Sequence, residues 1–114
     1  MFARLFGLRT ISPDGLHRRM HDGEPVTVID VNAPSRWAQA HLPGATNLDP
    51  ARYDASELPP DKSAPLVFYC SNRMCRKAPR AASRAKRMGY DNVHVMSAGI
   101  TGWLTAKLPT EAGT

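Results

Sequence analysis

Leu66-Val67-Phe68-Tyr69-Cys70-Ser71-Asn72-Arg73-Met74-Cys75-Arg76-Lys77-Ala78-Pro79 reads as a strand, a short polar loop and the start of a helix. Four apolar residues in a row, with no alternating polar partner, are the pattern of a strand covered on both faces. Beyond the loop, Ala78, Ala81, Ala82, Ala85 and Met88 recur at helical spacing, and Gly89 supplies a C-terminal stop. The break between the two patterns falls at Cys70.

The rest of the chain repeats this alternation. Val26-Thr27-Val28-Ile29-Asp30-Val31 is a second buried strand, with Asp30 placed where a central strand meets a loop. Ahead of it, Ser12-Pro13-Asp14-Gly15 starts a helix: Ser12 caps, Pro13 suits the first helical position and Asp14 favours the positive end. That helix runs through Leu16 and Met20 to near Gly23. Ala33 to Ala40 reads as a short helix with Trp37 on its buried side. His41-Leu42-Pro43-Gly44-Ala45 is a turn leading to a short strand from Thr46 to Leu48. Residues 50–65, with Pro50, Pro59, Pro60 and Pro65, form a loop holding a helical turn. Val93 to Met96 is a further strand, and Ile100 to Ala106 a last helix anchored by Trp103. Strands alternating with helices predict an α/β domain with a mostly parallel sheet. Ligands of such sheets bind beyond the carboxyl ends of the strands, where Cys70 lies.

The 114 residues fit one compact domain, 1–114, and 42% apolar with 22% charged residues is ordinary for a soluble globular chain. No apolar run is long enough to span a membrane. The first nine residues lack the apolar core and cleavage site of a signal peptide, so they read as a segment packed on the domain, with the cytoplasm as default location. Two cysteines and the scattered His17, His21, His41 and His94 cannot supply a four-ligand zinc site, so no metal is expected. His17 and His21 read as exposed surface histidines; Trp37 and Trp103 read as core anchors. No organic cofactor is called for, and oligomeric state is left open.

Net charge is +5, and its distribution is uneven. Arg73, Arg76, Lys77, Arg80, Arg84, Lys86 and Arg87 make up seven of the fifteen basic residues, with no acidic residue among them. Two readings stand: a solvated helix face, or an anion-attracting field beside a reactive centre. Nucleic-acid binding is disfavoured because no stacking aromatics are interleaved with the cations.

Cys70 is the candidate nucleophile. In a strand–loop–helix turn, successive amides can converge on one point, and the helix dipole adds positive charge there. Arg73 and Arg76 add full charges. Each effect favours thiolate, the reactive form. The expectation is an ionised sulfur, open to solvent and ringed by the amides of residues 71–76. The same environment holds a persulfide anion or the oxyanions of thiosulfate. The competing reading is a buried cysteine at a strand end.

Tyr69-Cys70 ahead of a short loop and helix resembles the active-site segment of rhodanese domains. Val28-Ile29-Asp30-Val31 resembles that family's early strand. His41-Leu42-Pro43-Gly44-Ala45-Thr46-Asn47-Leu48 is similar to its G-H-I-P-G-A-x-N turn, with Ala40 for the leading Gly. Ala98-Gly99-Ile100-Thr101-Gly102-Trp103 is similar to its G-G-x-x-x-W helix start, with Ala98 for the first Gly. The resemblance covers about residues 10–109. It implies a mostly parallel central sheet flanked by helices on both faces. It also implies a sulfur relay in which Cys70 attacks a small anionic sulfane-sulfur donor, holds the sulfur as a persulfide and passes it to a thiol or cyanide acceptor, with a protein persulfide as a further partner type. Ser71, Asn72, Arg73, Met74 and Arg76 then form the substrate-binding loop.

The pattern also departs from the family. Asn32 stands where an Arg is common, so no role is carried to it, and Asp30 reads as a structural charge accepting loop amides. Cys75 gives the loop a C-x4-C form that a subset of the family resembles. It is a candidate resolving cysteine, able to attack the persulfide and leave a disulfide; the alternative is a packing role. Cys70-x5-Arg76 also matches the spacing of cysteine-dependent phosphatases and arsenate reductases, although Tyr69 stands where those resemble one another in placing His. A non-catalytic binding or redox-sensing module on the same fold is the remaining class.

Overall fold

The computed structural model describes residues 8–113. The proposed packing of residues 1–7 therefore lies outside the described residues. Five strands form one sheet: β1 (Arg9–Thr10), β2 (Thr27–Asp30), β3 (Thr46–Asn47), β4 (Leu66–Tyr69) and β5 (Val93–Val95), in the order β1-β5-β4-β2-β3. Every strand pair is parallel. Four helices alternate with them: α1 (Pro13–His21), α2 (Pro34–Gln39), α3 (Lys77–Arg87) and α4 (Gly99–Thr105). A 3₁₀ turn over Ala55–Glu57 sits in the 50–65 loop.

Strand periodicity sorts the core into two layers. Leu66, Phe68 and Cys70 point to one face with Ile29, Val31 and Val95, against Ala78, Ala81, Ala82 and Ala85 of α3. Small side chains along that helix bring its backbone close to the sheet, while its cations face outward. Val67, Tyr69 and Val28 point to the other face, against Leu16 of α1, Leu42, Met96 and the fully buried Trp103 of α4. The helices thus cover both faces. β4 lies at the centre of the sheet and all four of its side chains are fully buried, which is why its sequence shows no polar alternation.

The capping read from Ser12 is present: its hydroxyl accepts the Gly15 amide at 3.0 Å. The helix–strand boundaries agree with the sequence reading to within a residue or two. Three readings are corrected. β1 was not expected; both its residues are exposed and only backbone bonding to β5 defines it, so it leaves no apolar signature. Trp37 is half-buried on a helix with no buried residue; its ring stacks on His41 at 4.4 Å and its Nε1 donates to Ala45 O at 3.0 Å. It braces the 41–45 turn and is not a core anchor. His17 is half-buried, edge-on to Trp103 at 5.9 Å, because α1 and α4 pack on the same face. It is not a surface histidine.

The chain's end is clasped to the 38–44 region. His41 and Glu111 exchange backbone bonds of 2.9 and 2.8 Å, Gly44 N–H donates to Glu111 Oε1 and Gly113 N–H donates to Ala38 O. No helix among the described residues is long and apolar enough to cross a membrane.

Candidate functional site

The ends of β2 and β4 make a hydrogen-bonded platform. Asp30 and Tyr69 are register partners and both are fully buried. Tyr69 Oη donates to Asp30 Oδ2 at 2.6 Å and accepts the Leu42 amide at 3.1 Å. Asn32 N–H donates to Asp30 Oδ1 at 2.7 Å. Asn47 Nδ2 donates to the carbonyls of both Asp30 and Asn32. Asp30 is thus a structural charge accepting a loop amide, as the sequence suggests. Burial pushes its carboxyl above the usual carboxylate range, and the Tyr69 and Asn32 bonds only partly offset that. Burial, together with the neighbouring Asp30 charge, also holds the Tyr69 phenol far up.

Cys70 is the next residue. It lies at the carboxyl end of the central strand, with its side chain toward α3. It is disulfide-bonded to Cys75, with the two Cα atoms 6.4 Å apart, inside the range a disulfide accepts. The sulfur is therefore neither ionised nor open in this state: Cys70 is only 3% exposed, packed among Val95, Ala78 and Ile29. The expectation of a solvent-open thiolate is corrected for this state: the sulfur is bonded to Cys75 and Cys70 is buried at the strand end.

The loop amides also behave differently from the convergent ring expected. Met74 N–H donates to Asn72 Oδ1 at 2.9 Å, and Cys75 N–H to Asn72 O at 3.1 Å. The first closes an Asx turn and the second a β-turn within the loop, so neither donor is directed at Cys70. Asn72, Arg73, Met74 and Arg76 are exposed, and Ser71 and Cys75 are half-buried. Arg76 occupies the N-cap position of α3 without capping through its side chain.

The loop is held from the other side by α4. Ile100 N–H donates to Cys70 O at 2.9 Å and Thr101 N–H to Ser71 O at 3.0 Å. These are first-turn amides of α4, which have no partner within their own helix. Gly99, with φ of +66°, makes this approach feasible: a Cβ there would sit 2.5 Å from Ser71 C and 2.7 Å from Asn72 N. Gly102 lies against Ala98: a Cβ on it would sit 2.3 Å from Ala98 Cβ.

Two spaces border the active loop, and one of them reaches the sulfur pair. A cavity of about 10 Å³ is lined by Cys70, Cys75, Arg73, Ala78 and Ser97 among others. That is about the room of one water and less than any sulfur oxyanion requires. Ser97 Oγ is buried there without a hydrogen-bond partner. Sequence reading passed over Ser97; its place immediately before the Ala98-Gly99 pair was the available signal. A larger groove of about 580 Å³ runs between the loop tip, at Asn72, Arg73 and Met74, and the Thr101–Thr105 flank of α4.

Residues 12–106 match the model of the rhodanese-like domain family. A sulfurtransferase of Allochromatium vinosum is 31% identical over 106 residues, covering 90% of this chain and 94% of its own. The thiosulfate sulfurtransferase GlpE of Pseudoalteromonas translucida is 27% identical over 85 residues, 75% of this chain and 79% of its own. Among solved structures, the thiosulfate sulfurtransferase of Pseudomonas aeruginosa superposes with a TM-score of 0.79 at 27% identity, covering 93% of this chain and 20% of that one. The BH2092 protein of Bacillus halodurans superposes with a TM-score of 0.84 at 21% identity, covering 91% and 77%. With its parallel five-stranded sheet and a cysteine at the end of the central strand, this chain belongs to the rhodanese-like domain family and is related to sulfurtransferases.

Proposed function

We propose that this protein is a sulfurtransferase that carries sulfane sulfur on Cys70 as a persulfide, with Cys75 resolving the loaded form. The observation that supports it is the pairing of Cys70, at the mouth of the central strand, with Cys75 across the active loop of a rhodanese-like domain. In the reduced protein the Cys70 thiolate attacks the outer sulfur of an anionic donor such as thiosulfate. A new S–S bond forms as the donor's own breaks, and sulfite leaves with the electron pair. A thiol or cyanide acceptor then takes the outer sulfur and returns Cys70 to thiolate.

When no acceptor arrives, the Cys75 thiolate attacks the inner sulfur, Cys70 Sγ. Hydrosulfide leaves and the Cys70–Cys75 disulfide remains, the state described above. An external dithiol reduces that bond and is itself oxidised, a cycle suited to a reducing cytoplasm. Because the cavity beside the sulfurs is only about 10 Å³ in the disulfide state, donor binding follows reduction and release of the loop. Freed from the Asn72 turn, the amides of residues 71–76 can turn to the persulfide, each well-placed donor contributing a few kcal/mol. Arg73, which lines both the small cavity and the larger groove, draws in the anion.

The test is turnover of the reduced protein with thiosulfate and cyanide, read as thiocyanate. Cys70→Ser abolishes it, whereas Cys75→Ser keeps turnover and stops the sulfide release seen when acceptor is withheld. Hydrolysis of p-nitrophenyl phosphate that is lost in Arg76→Ala would instead assign the loop to phosphate chemistry.

A further inference from the structure

The cations of α3 are not spread around the helix. Lys77, Arg80, Arg84 and Arg87 follow at intervals of three and four residues, so they share one face, about 15 Å long. With Ser83 and the loop at residues 50–51 they line a groove of about 340 Å³. Among the described residues none of these four cations has a carboxylate within ion-pairing distance. Two acidic residues of the neighbouring loop are engaged locally: Asp49 lines the adjoining groove and its Oδ1 accepts the amides of Ala51 and Arg52, while Asp54, which feels the Arg84 charge, accepts the Ser56 amide. Arg84 is fixed in place: its Nε donates to Tyr53 O at 2.9 Å and its guanidinium lies over the Tyr53 ring. Lys77, Arg80 and Arg87 are exposed. Four like charges lined up on one face cost stability, and the Asp54 carboxylate balances Arg84 only from a distance, without an ion pair.

Their position carries the argument further. The stripe begins two residues after Cys75, on the helix that Cys70 faces. One turn earlier in the chain, Met74 is 75% exposed, a large apolar side chain of the kind enriched at protein interfaces. Single-stranded nucleic acid would call for exposed aromatic platforms. Here Tyr53, Phe68, Tyr69, Tyr90 and Trp103 are buried, and Trp37 is engaged with His41.

Building on the sulfur-relay reading, we infer that the Lys77–Arg80–Arg84–Arg87 face is the docking surface for a protein partner that presents an Asp/Glu-rich segment beside its reactive thiol. The partner's carboxylates lie along the groove, and its thiol reaches the Cys70 persulfide at the helix start. That thiolate attacks the outer sulfur, the Cys70–sulfur bond breaks, and Cys70 leaves as thiolate while the partner becomes the persulfide.

Two measurements on the full chain test this. In the first, a fluorescent glutamate-rich peptide with its cysteine replaced by Ser is titrated at low and high salt, which needs no sulfur chemistry. Binding is expected at low salt, lost at high salt and lost in Arg80→Glu/Arg87→Glu. In the second, protein preloaded with sulfur is mixed with the cysteine-bearing glutamate-rich peptide, a glycine–serine peptide with one cysteine, or 2-mercaptoethanol. Transfer to the acidic peptide is expected about tenfold faster than to the neutral one. The double variant removes that advantage and leaves the 2-mercaptoethanol rate within about twofold. Equal binding by wild type and variant, equal rates for the two peptides, or a labelled oligothymidine that binds tighter than the acidic peptide overturns the inference. Failure of all three acceptors to remove sulfur counts against the relay itself, while the binding titration still decides the docking surface.

Discussion

Asp30–Tyr69 and Cys70–Cys75 are neighbours in sequence and in space, yet they are held by different means. At the strand ends, Asp30, Tyr69, Leu42, Asn32 and Asn47 satisfy one another in a buried network of bonds between 2.6 and 3.1 Å. One residue on, the loop is mostly exposed, turns on its own Asn72, and is tied to the fold by two amides of α4 and one disulfide. The platform has a single arrangement because any alternative strands a buried polar group. The loop is tied by a disulfide, so under the proposed relay its arrangement changes with redox state. The difference places a chemically variable segment on an invariant base, and each part can be perturbed separately.

The joint between them is Gly99, and substituting it gives the largest effect. Gly99→Ala puts a Cβ into the Ser71–Asn72 backbone at a φ of +66°. The variant is expected to lose about 3 kcal/mol, measured by urea unfolding, together with most sulfur loading. Wild-type stability would mean that loop and α4 are not in register.

A change confined to the platform should cost less and leave the loop's chemistry in place. Tyr69→Phe removes the donor to Asp30 and orphans the Leu42 amide, for about 2 kcal/mol. Its deficit is pH-dependent. The Tyr69 bond lowers the Asp30 pKa, so the variant's Asp30 holds its proton to higher pH than the wild type's. The deficit therefore grows as pH rises through the Asp30 titration and shrinks in acid. The wild-type carboxyl already sits above its ordinary value of 3.8, so this residue taken alone makes the fold lose stability as pH rises past that point. A pH-independent deficit would detach Tyr69 from Asp30.

The smallest effect lies on β5, away from both regions. Burial, reinforced by Arg19 and Arg9, lowers the His94 pKa below 6.5. The unfolded chain then binds the proton more readily, so stability falls as pH drops below 6.5. His94→Gln should flatten that part of the stability–pH curve without changing sulfur loading.

How far these features are legible in sequence follows from what sets each one. β2, β4 and α3 are plain because central strands and a helix packed on them bury whole faces, which leaves runs and periodicities. β1 is not, since Arg9 and Thr10 are both exposed and paired only through backbone atoms. Trp37 misleads because size predicts burial, whereas here the ring braces a turn by stacking on His41. The place of Cys70 is readable from the strand–loop–helix pattern, but its exposure is not. That depends on Val95, Ala78 and the partner sulfur, which come together only in the fold. Ser97 is marked in sequence only by its place before Ala98-Gly99, since its unpartnered hydroxyl is a property of the fold.

The decisive measurement is the intact mass of the reduced protein after thiosulfate, for wild type, Cys70→Ser and Cys75→Ser. One added sulfur atom is expected that decays to the disulfide mass in wild type, persists in Cys75→Ser, and is absent in Cys70→Ser. An adduct that survives in Cys70→Ser, or none in either protein that retains Cys70, would contradict the sulfur relay.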